Sequence, residues 1–254
     1  IWSLVGQRVS MMAVKAILLW IKSPWRPSRD IDNNSFKEMA PYSLILIITD
    51  FITALYNNVA QLFIGKIYSA DQLGYFNQAQ KLKDMPVNAT MLSIQNVTFS
   101  ALSKISDNDT KFAEGYRRII MLTSFIMFPI MAGLISTAED IYMLVLKPQW
   151  HPSIPYFRIL CLIGICYPIA AVAYNVLKAR SDGGIILRIE IIKKMLMTII
   201  LLITIPINVK AIAWGMVIAS ACEMALNIAA SLRYTTLSVS KLLRTLAPIV
   251  VLTL

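Results

Sequence analysis

Long apolar runs alternate with short polar segments along the whole chain. With the ends of each run taken from its breakers and charges, the pattern predicts helices over 1–21, 41–65, 75–104, 118–136, 155–177, 185–206 and 211–232, and an eighth beginning near 242. Each comes close to the roughly 20 apolar residues that cross a bilayer core of about 30 Å. The chain is therefore expected to be all-α, a polytopic membrane bundle of seven to eight transmembrane helices. The most polar stretch is 73–105, with Asn77, Gln78, Lys81, Lys83, Asp84, Asn88, Gln95 and Asn96. As a helix it covers about 45 Å, longer than the hydrocarbon core, so its first turns are expected at the outer interface, with a kink at Pro86.

Composition agrees with a lipid environment. Of the 254 residues 57% are hydrophobic and 15% charged, and the mean hydropathy is +0.64, too apolar for a water-soluble domain. The net charge of +10 does not point to nucleic acid, because the basic residues are dispersed between apolar helices. They fall instead in alternate loops. Lys22, Arg26, Arg29 and Lys37 form one group; Lys104, Lys111, Arg117 and Arg118 a second; Lys178, Arg180, Arg188, Lys193 and Lys194 a third; Arg233, Lys241 and Arg244 a fourth. The opposite set holds Lys66, Lys81, Lys83, Lys147, Arg158 and Lys210, sixteen against six, which makes the richer set cytoplasmic. The chain opens at Ile1 without a signal-peptide pattern and stops inside the run 246–254, so both ends are expected to be cut. The polar segment 23–38, with Pro24 and Pro27, is expected to be a cytoplasmic linker.

Polar side chains recur at helical spacing inside three of these spans. Asn77, Lys81, Asp84, Asn88 and Gln95 fall within about 60° of one another on one helix face. Asp50, Thr53, Asn57 and Gln61 make a second face on the preceding helix, with Asn58 beside it, and Ser220, Glu223 and Asn227 a third. A charge at the bilayer centre costs about 2.5–3.5 kcal/mol on insertion scales, so such residues line a wet cavity or pair internally. A transport pathway is the functional alternative. Its structural rival pairs Lys81 with Asp84 and makes Asp50 and Glu223 hydrogen-bonded packing residues. Lys83 points away from Gln78 and is expected to snorkel to the outer headgroups. Arg8 and Lys15, seven apart on the first span, either add positive charge to the cavity or snorkel in turn. Gly215 and Ala219, and Ala221, Ala225 and Ala229, recur every four positions and allow close helix approach.

Other chemistry is sparse. Cys161, Cys166 and Cys222 lie in apolar runs and suggest neither a disulfide nor a metal framework. His151 has no second His or Cys near it, and no cofactor is expected. Asp107 and Asp109 have the look of a sugar-nucleotide metal motif, but they lie in a turn before a helix, where Asp and Asn are ordinary capping residues.

An ordered series of short segments carries a family resemblance: Ile64-Gly65-Lys66, Leu73-Gly74-Tyr75-Phe76-Asn77-Gln78-Ala79, Met85-Pro86-Val87 and Ser100-Ala101-Leu102-Ser103-Lys104-Ile105. Pro129, the amphipathic stretch 138–150, Lys178-Ala179-Arg180-Ser181-Asp182 and Leu187-Arg188-Ile189-Glu190-Ile191-Ile192-Lys193-Lys194 continue it over nearly the whole chain. The series resembles the polysaccharide flippases of the multidrug/oligosaccharidyl-lipid/polysaccharide exporter superfamily. At Ala60 and Gln61 the chain departs from them, since members often carry an acid there; at Ala179 members often have Gly.

The resemblance implies a two-lobed transporter of twelve to fourteen helices that moves polyprenyl-diphosphate-linked oligosaccharide across the bacterial inner membrane by alternating access, for O-antigen, capsule or exopolysaccharide. Residues 1–21 would be the last helix of the N-terminal lobe, 22–38 the linker, and 39–254 a truncated C-terminal lobe. Lys81, Asn77, Asn57, Asn58, Gln61 and Arg8 are the expected cavity residues, and Asp50 and Glu223 the acids expected to answer an H⁺ or Na⁺ counter-ion. Its partners would be the lipid-linked oligosaccharide and membrane lipids, and it would not be an enzyme. The alternatives are a multidrug or cation exporter of the same superfamily, a membrane-embedded glycan polymerase or ligase, and a structural membrane scaffold.

Overall fold

The computed structural model describes residues 2–23, 56, 58–104, 108–181 and 183–253. Among them every regular element is helical and there is no strand. Residues Ile1–Ala54 and Leu55–Leu254 form two separate compact units. The first is described through α1 (Trp2–Lys22), an apolar helix whose end is closed by the Ser23 amide donating to Leu19 O at 2.9 Å. The expected linker 22–38 lies, beyond Ser23, outside the described residues.

The second unit begins with the described part of α2 (58–67), followed by α3 (Ala70–Lys104), α4 (Asp109–Ser136), α5 (Ala138–Val145), a 3₁₀ turn (Pro148–Ser153), α6 (Ile154–Arg180), α7 (Gly183–Thr204), α8 (Val209–Ser231) and α9 (Val239–Thr253). The helix expected from 75 starts at Ala70, and that expected from 118 starts at Asp109. Their polar first turns were too hydrophilic to count as span, yet they are good helix beginnings. Asn108 caps α4, its Oδ1 accepting from the Lys111 amide at 3.0 Å, and Asn208 caps α8, accepting from Ala211 at 2.7 Å. Between α7 and α8, Pro206 cannot continue a helix. Helices α3, α4, α6 and α9 each continue through an internal proline, which neighbouring helices in a membrane bundle tolerate.

Helix α6 is the central one, apolar on every side and packed against α3, α4 and α8, while α7 packs on α8 and α9 on α4. Two of these approaches need glycine. A Cβ on Gly164 of α6 would overlap the Met131 sulphur on α4, and one on Gly215 of α8 would stand 2.9 Å from Thr204 Cγ2 and 3.0 Å from Ile200 Cγ2 on α7. The outward faces are greasy, with Leu122, Phe125 and Ile126 on α4, Ile199, Leu202 and Ile203 on α7, and Trp214 and Ile218 on α8 exposed, as lipid-facing surfaces are. Among the described residues the segments Asp109–Ser136, Pro148–Arg180 and Val209–Tyr234 are long and apolar enough to cross a membrane. Helices α3 and α7 have the length, but ions interrupt their apolar runs.

Hydrogen bonds tie the loops into two opposite ends. At one, Ser153 Oγ shares a 2.9 Å bond with the Tyr142 hydroxyl and donates to Tyr75 O at 2.6 Å, and the Tyr68 hydroxyl donates to Ile205 O at 2.5 Å. At the other, Arg180 Nη1 donates to Asp109 Oδ1 at 2.8 Å and to Tyr234 O at 3.0 Å, joining the end of α6 to the start of α4 and the turn after α8.

Candidate functional site

Helix α3 brings polar side chains to two cavities at once. The first, of about 400 Å³, lies between α3, α6, α7 and α8, within the range typical of small-molecule sites. Its ionic lining is made by Lys83 and Asp84 from α3, Lys193 and Lys194 from α7, and Glu223 from α8; Leu160, Ile163, Met197 and Met216 add apolar lining. The second, of about 410 Å³, is bordered by Asn77, Lys81 and Met85 of α3 and by Gln61 of α2. Gln80, Asp84 and Asn88 touch both.

The charges of the first cavity are arranged as pairs, because a buried unpaired ion costs several kcal/mol (about 3–5 when a partner is removed). Lys83 is 7% exposed, with its Nζ 2.6 Å from Asp84 Oδ1. Lys193, 9% exposed, is held between two carboxylates, 2.5 Å from Glu190 Oε1 one helical turn away and 3.0 Å from Glu223 Oε1 across the α7–α8 contact. The Tyr174 ring stands 5.1 Å from the same ammonium and 4.8 Å from that of Lys178, a cation–π arrangement that further offsets its desolvation. Lys194 lies 5.2 Å from the ring of Tyr56, whose hydroxyl bonds Thr198 Oγ1 at 2.9 Å.

Of the residues singled out from the sequence, the structure gathers Asn77, Lys81 and Gln61 around the second cavity and puts Asn58 and Glu223 in the wall of the first. Gln61 Nε2 donates to Gln80 Oε1 at 3.0 Å, fastening α2 to α3. Asn57 and Asp50 lie outside the described residues, as does the Arg8 side chain. The stripe on α8 divides: Ser220 and Glu223 face the first cavity, while Asn227, 1% exposed, donates to Ala170 O at 3.1 Å and serves packing.

Two expectations are corrected. Lys83 does not snorkel to headgroups; it is buried, lines the first cavity and takes Asp84, the partner that the structural alternative gave to Lys81. Lys81, exposed at the second cavity, is not in that pair. Lys193 and Lys194 are not loop cations either. They stand midway along α7, where Lys193 is nearly as enclosed as Lys83. A signal for it was present, since Glu190 precedes it by three residues inside an apolar helix, but the Glu223 contact comes from tertiary packing alone.

No solved structure matches the chain. It is 22% identical over 193 residues to the teichuronic acid biosynthesis protein TuaB of Bacillus subtilis (strain 168), covering 72% of this chain and 40% of that protein. To the lipopolysaccharide biosynthesis protein WzxC of Escherichia coli (strain K12) it is 23% identical over 172 residues, 68% of this chain and 35% of the relative. A membrane protein in the cps region of Klebsiella pneumoniae is 22% identical over 185 residues, 73% and 37%. The chain thus spans well under half the length of these relatives. Its apolar helices and this kinship make it part of a multi-pass membrane protein. A family model described as "Polysaccharide biosynthesis protein" matches residues 1–155, more than half of the chain, and the chain belongs to that family.

Proposed function

We propose that this chain is part of a transporter rather than an enzyme, a flippase that carries polyprenyl-diphosphate-linked oligosaccharide across the bacterial inner membrane during surface polysaccharide synthesis. The observation that carries the proposal is the two-sided polar face of α3, with Asp84 and Asn88 turned to the cavity between α3, α6, α7 and α8 and Asn77 and Lys81 to an open hollow between α3 and α2, in a bundle with apolar outer faces on α4, α7 and α8. An anionic glycan headgroup cannot enter hydrocarbon unaided, because a buried charge without a partner is heavily penalised. Amide and ammonium side chains on a helix face remove that penalty. The relatives named for teichuronic acid and lipopolysaccharide biosynthesis support a glycan cargo.

In this scheme Lys81 meets the diphosphate, and Asn77 and Gln61, beside it at the second cavity, hydrogen-bond the first sugars, while the polyprenyl tail stays in lipid. Rocking of two lobes about the cavity exposes it to each side in turn, as in other repeat-built transporters. Glu223, shared with Lys193, is the carboxylate that an H⁺ or Na⁺ counter-ion would engage. A cation exporter is disfavoured by the lining itself, where Lys81, Lys83, Lys193 and Lys194 outnumber Asp84 and Glu223. The test is flipping of a fluorescent lipid-linked oligosaccharide by the full-length protein in proteoliposomes. Lys81→Ala lowers the rate at equal protein content; a variant that flips at the wild-type rate removes Lys81 from the mechanism.

A further inference from the structure

At the end of the bundle where α4 begins and α9 packs on it, cations gather around a hollow that the transport scheme does not use. It measures about 430 Å³ and is bordered by Arg117 of α4, Lys241 and Arg244 of α9, and the hydroxyl-bearing Thr110 and Thr236. Lys241 and Arg244, three apart, share one exposed face of α9, while Leu242 and Ile249 on its other side are buried against Phe112, Tyr116 and Ile120 of α4. Glu114, the acid in this wall, is already held by Arg117 through bonds of 2.7 and 3.0 Å. Asp109 is held by Arg180 at 2.8 Å. Neither Lys241 nor Arg244 makes a salt bridge within 4 Å among the described residues, and the Glu114 carboxylate acts on Lys241 only at longer range. On the other side of the same turns of α4, Lys111 and Arg118 border a second hollow of about 400 Å³.

We propose that this basic hollow binds the headgroup phosphate of an anionic phospholipid. Charge complementarity gives the phosphate: exposed guanidinium and ammonium groups converge there with hydroxyl donors beside them. The order of side chains along α9 gives the lipid. Arg244, Ala247 and Pro248 follow one another at helical spacing, all exposed, so that a cation of this hollow stands directly above an apolar strip open to an acyl chain. A soluble anion has no use for that strip. Basic pockets between membrane helices bind lipid headgroups by the same combination of charge and depth.

The test uses the full-length protein in neutral detergent, titrated with dioctanoyl phosphatidylglycerol and followed by its thermal unfolding midpoint. A saturable rise is expected, with no comparable rise from dioctanoyl phosphatidylcholine or from inorganic phosphate at the same concentrations. Lys241→Gln combined with Arg244→Gln weakens the response on the order of tenfold. Lys147→Gln combined with Lys210→Gln, the same charge change at the opposite end, leaves it as in the wild type. Equal responses to the three probes in the wild type overturn the site whatever the variants do. So does an undiminished response in the first variant, or an equal loss in the second.

Discussion

Lys193 is the residue whose surroundings are most tightly determined, and its removal has a sign that follows from them. Its ammonium is shared by Glu190 at 2.5 Å and Glu223 at 3.0 Å. Lys193→Met would leave two carboxylates facing each other without a counter-charge, a loss of about 3–5 kcal/mol for a buried partner removed. Glu223→Gln should cost less, about 1–2 kcal/mol, because the Lys193–Glu190 pair survives and the amide can still accept from the ammonium. Combining Lys193→Met with Glu190→Gln and Glu223→Gln should recover part of the loss. Thermal unfolding of the three proteins in detergent gives the order; equal losses for the two single variants would show that Lys193 does not hold the carboxylates. Among the described residues Lys83 is paired with Asp84, its neighbour in sequence, so the two ionic groups of the cavity differ in kind. One is local to α3, and the other fastens α7 to α8.

Between elements, the α7–α8 contact depends on that ionic bridge and on the absence of a side chain at Gly215. Thr204 and Ile200, which a Cβ there would meet, are β-branched and stiff. Gly215→Val is expected to destabilise by about 1–3 kcal/mol through overpacking. Gly133→Ala, where nothing lies within 4 Å, should instead be neutral or stabilising by up to about 1 kcal/mol from helix propensity. Reversal of that order in unfolding measurements would mean that α7 and α8 are not this close. The four-residue spacing of Gly215 and Ala219 made the first approach legible in the sequence, whereas Gly164 stands alone in its helix and its meeting with Met131 was not. The same limit explains Lys83. A helical wheel gives angles about one axis, and it cannot say that α3 has wet surfaces on two sides, so a side chain directed away from one polar stripe reads from the sequence as reaching for the headgroups. Periodicity found Asn77, Lys81, Asp84 and Asn88 as one face; what that face opposes is decided by α6, α7 and α8, more than sixty residues later.

Across the whole molecule, orientation rests on where the cations stand, and the structure sharpens that count. Lys193 and Lys194 leave the richer set because they sit deep in α7, and Lys81 and Lys83 leave the poorer one because they sit within α3. Fourteen then face four, a steeper bias than before. The loops also assort as the count requires. Asp109, Arg180 and Tyr234 meet at one end, and Tyr68, Tyr75, Ser153 and Ile205 gather at the other, so consecutive helices run in opposite directions. Because cytoplasmic loops retain the excess of Lys and Arg, Thr236 beside Lys241 is expected to face the cytoplasm, and Gln149 in the 3₁₀ turn to face outward. Both are exposed. With the native cysteines replaced, Thr236→Cys should react with a membrane-impermeant maleimide only after the cells are opened, and Gln149→Cys should react in intact spheroplasts. The opposite pattern would put the basic hollow of α4 and α9 on the outer face. Labelling of both positions from the same side would break the alternation of helices that the contacts at the two ends of the bundle describe.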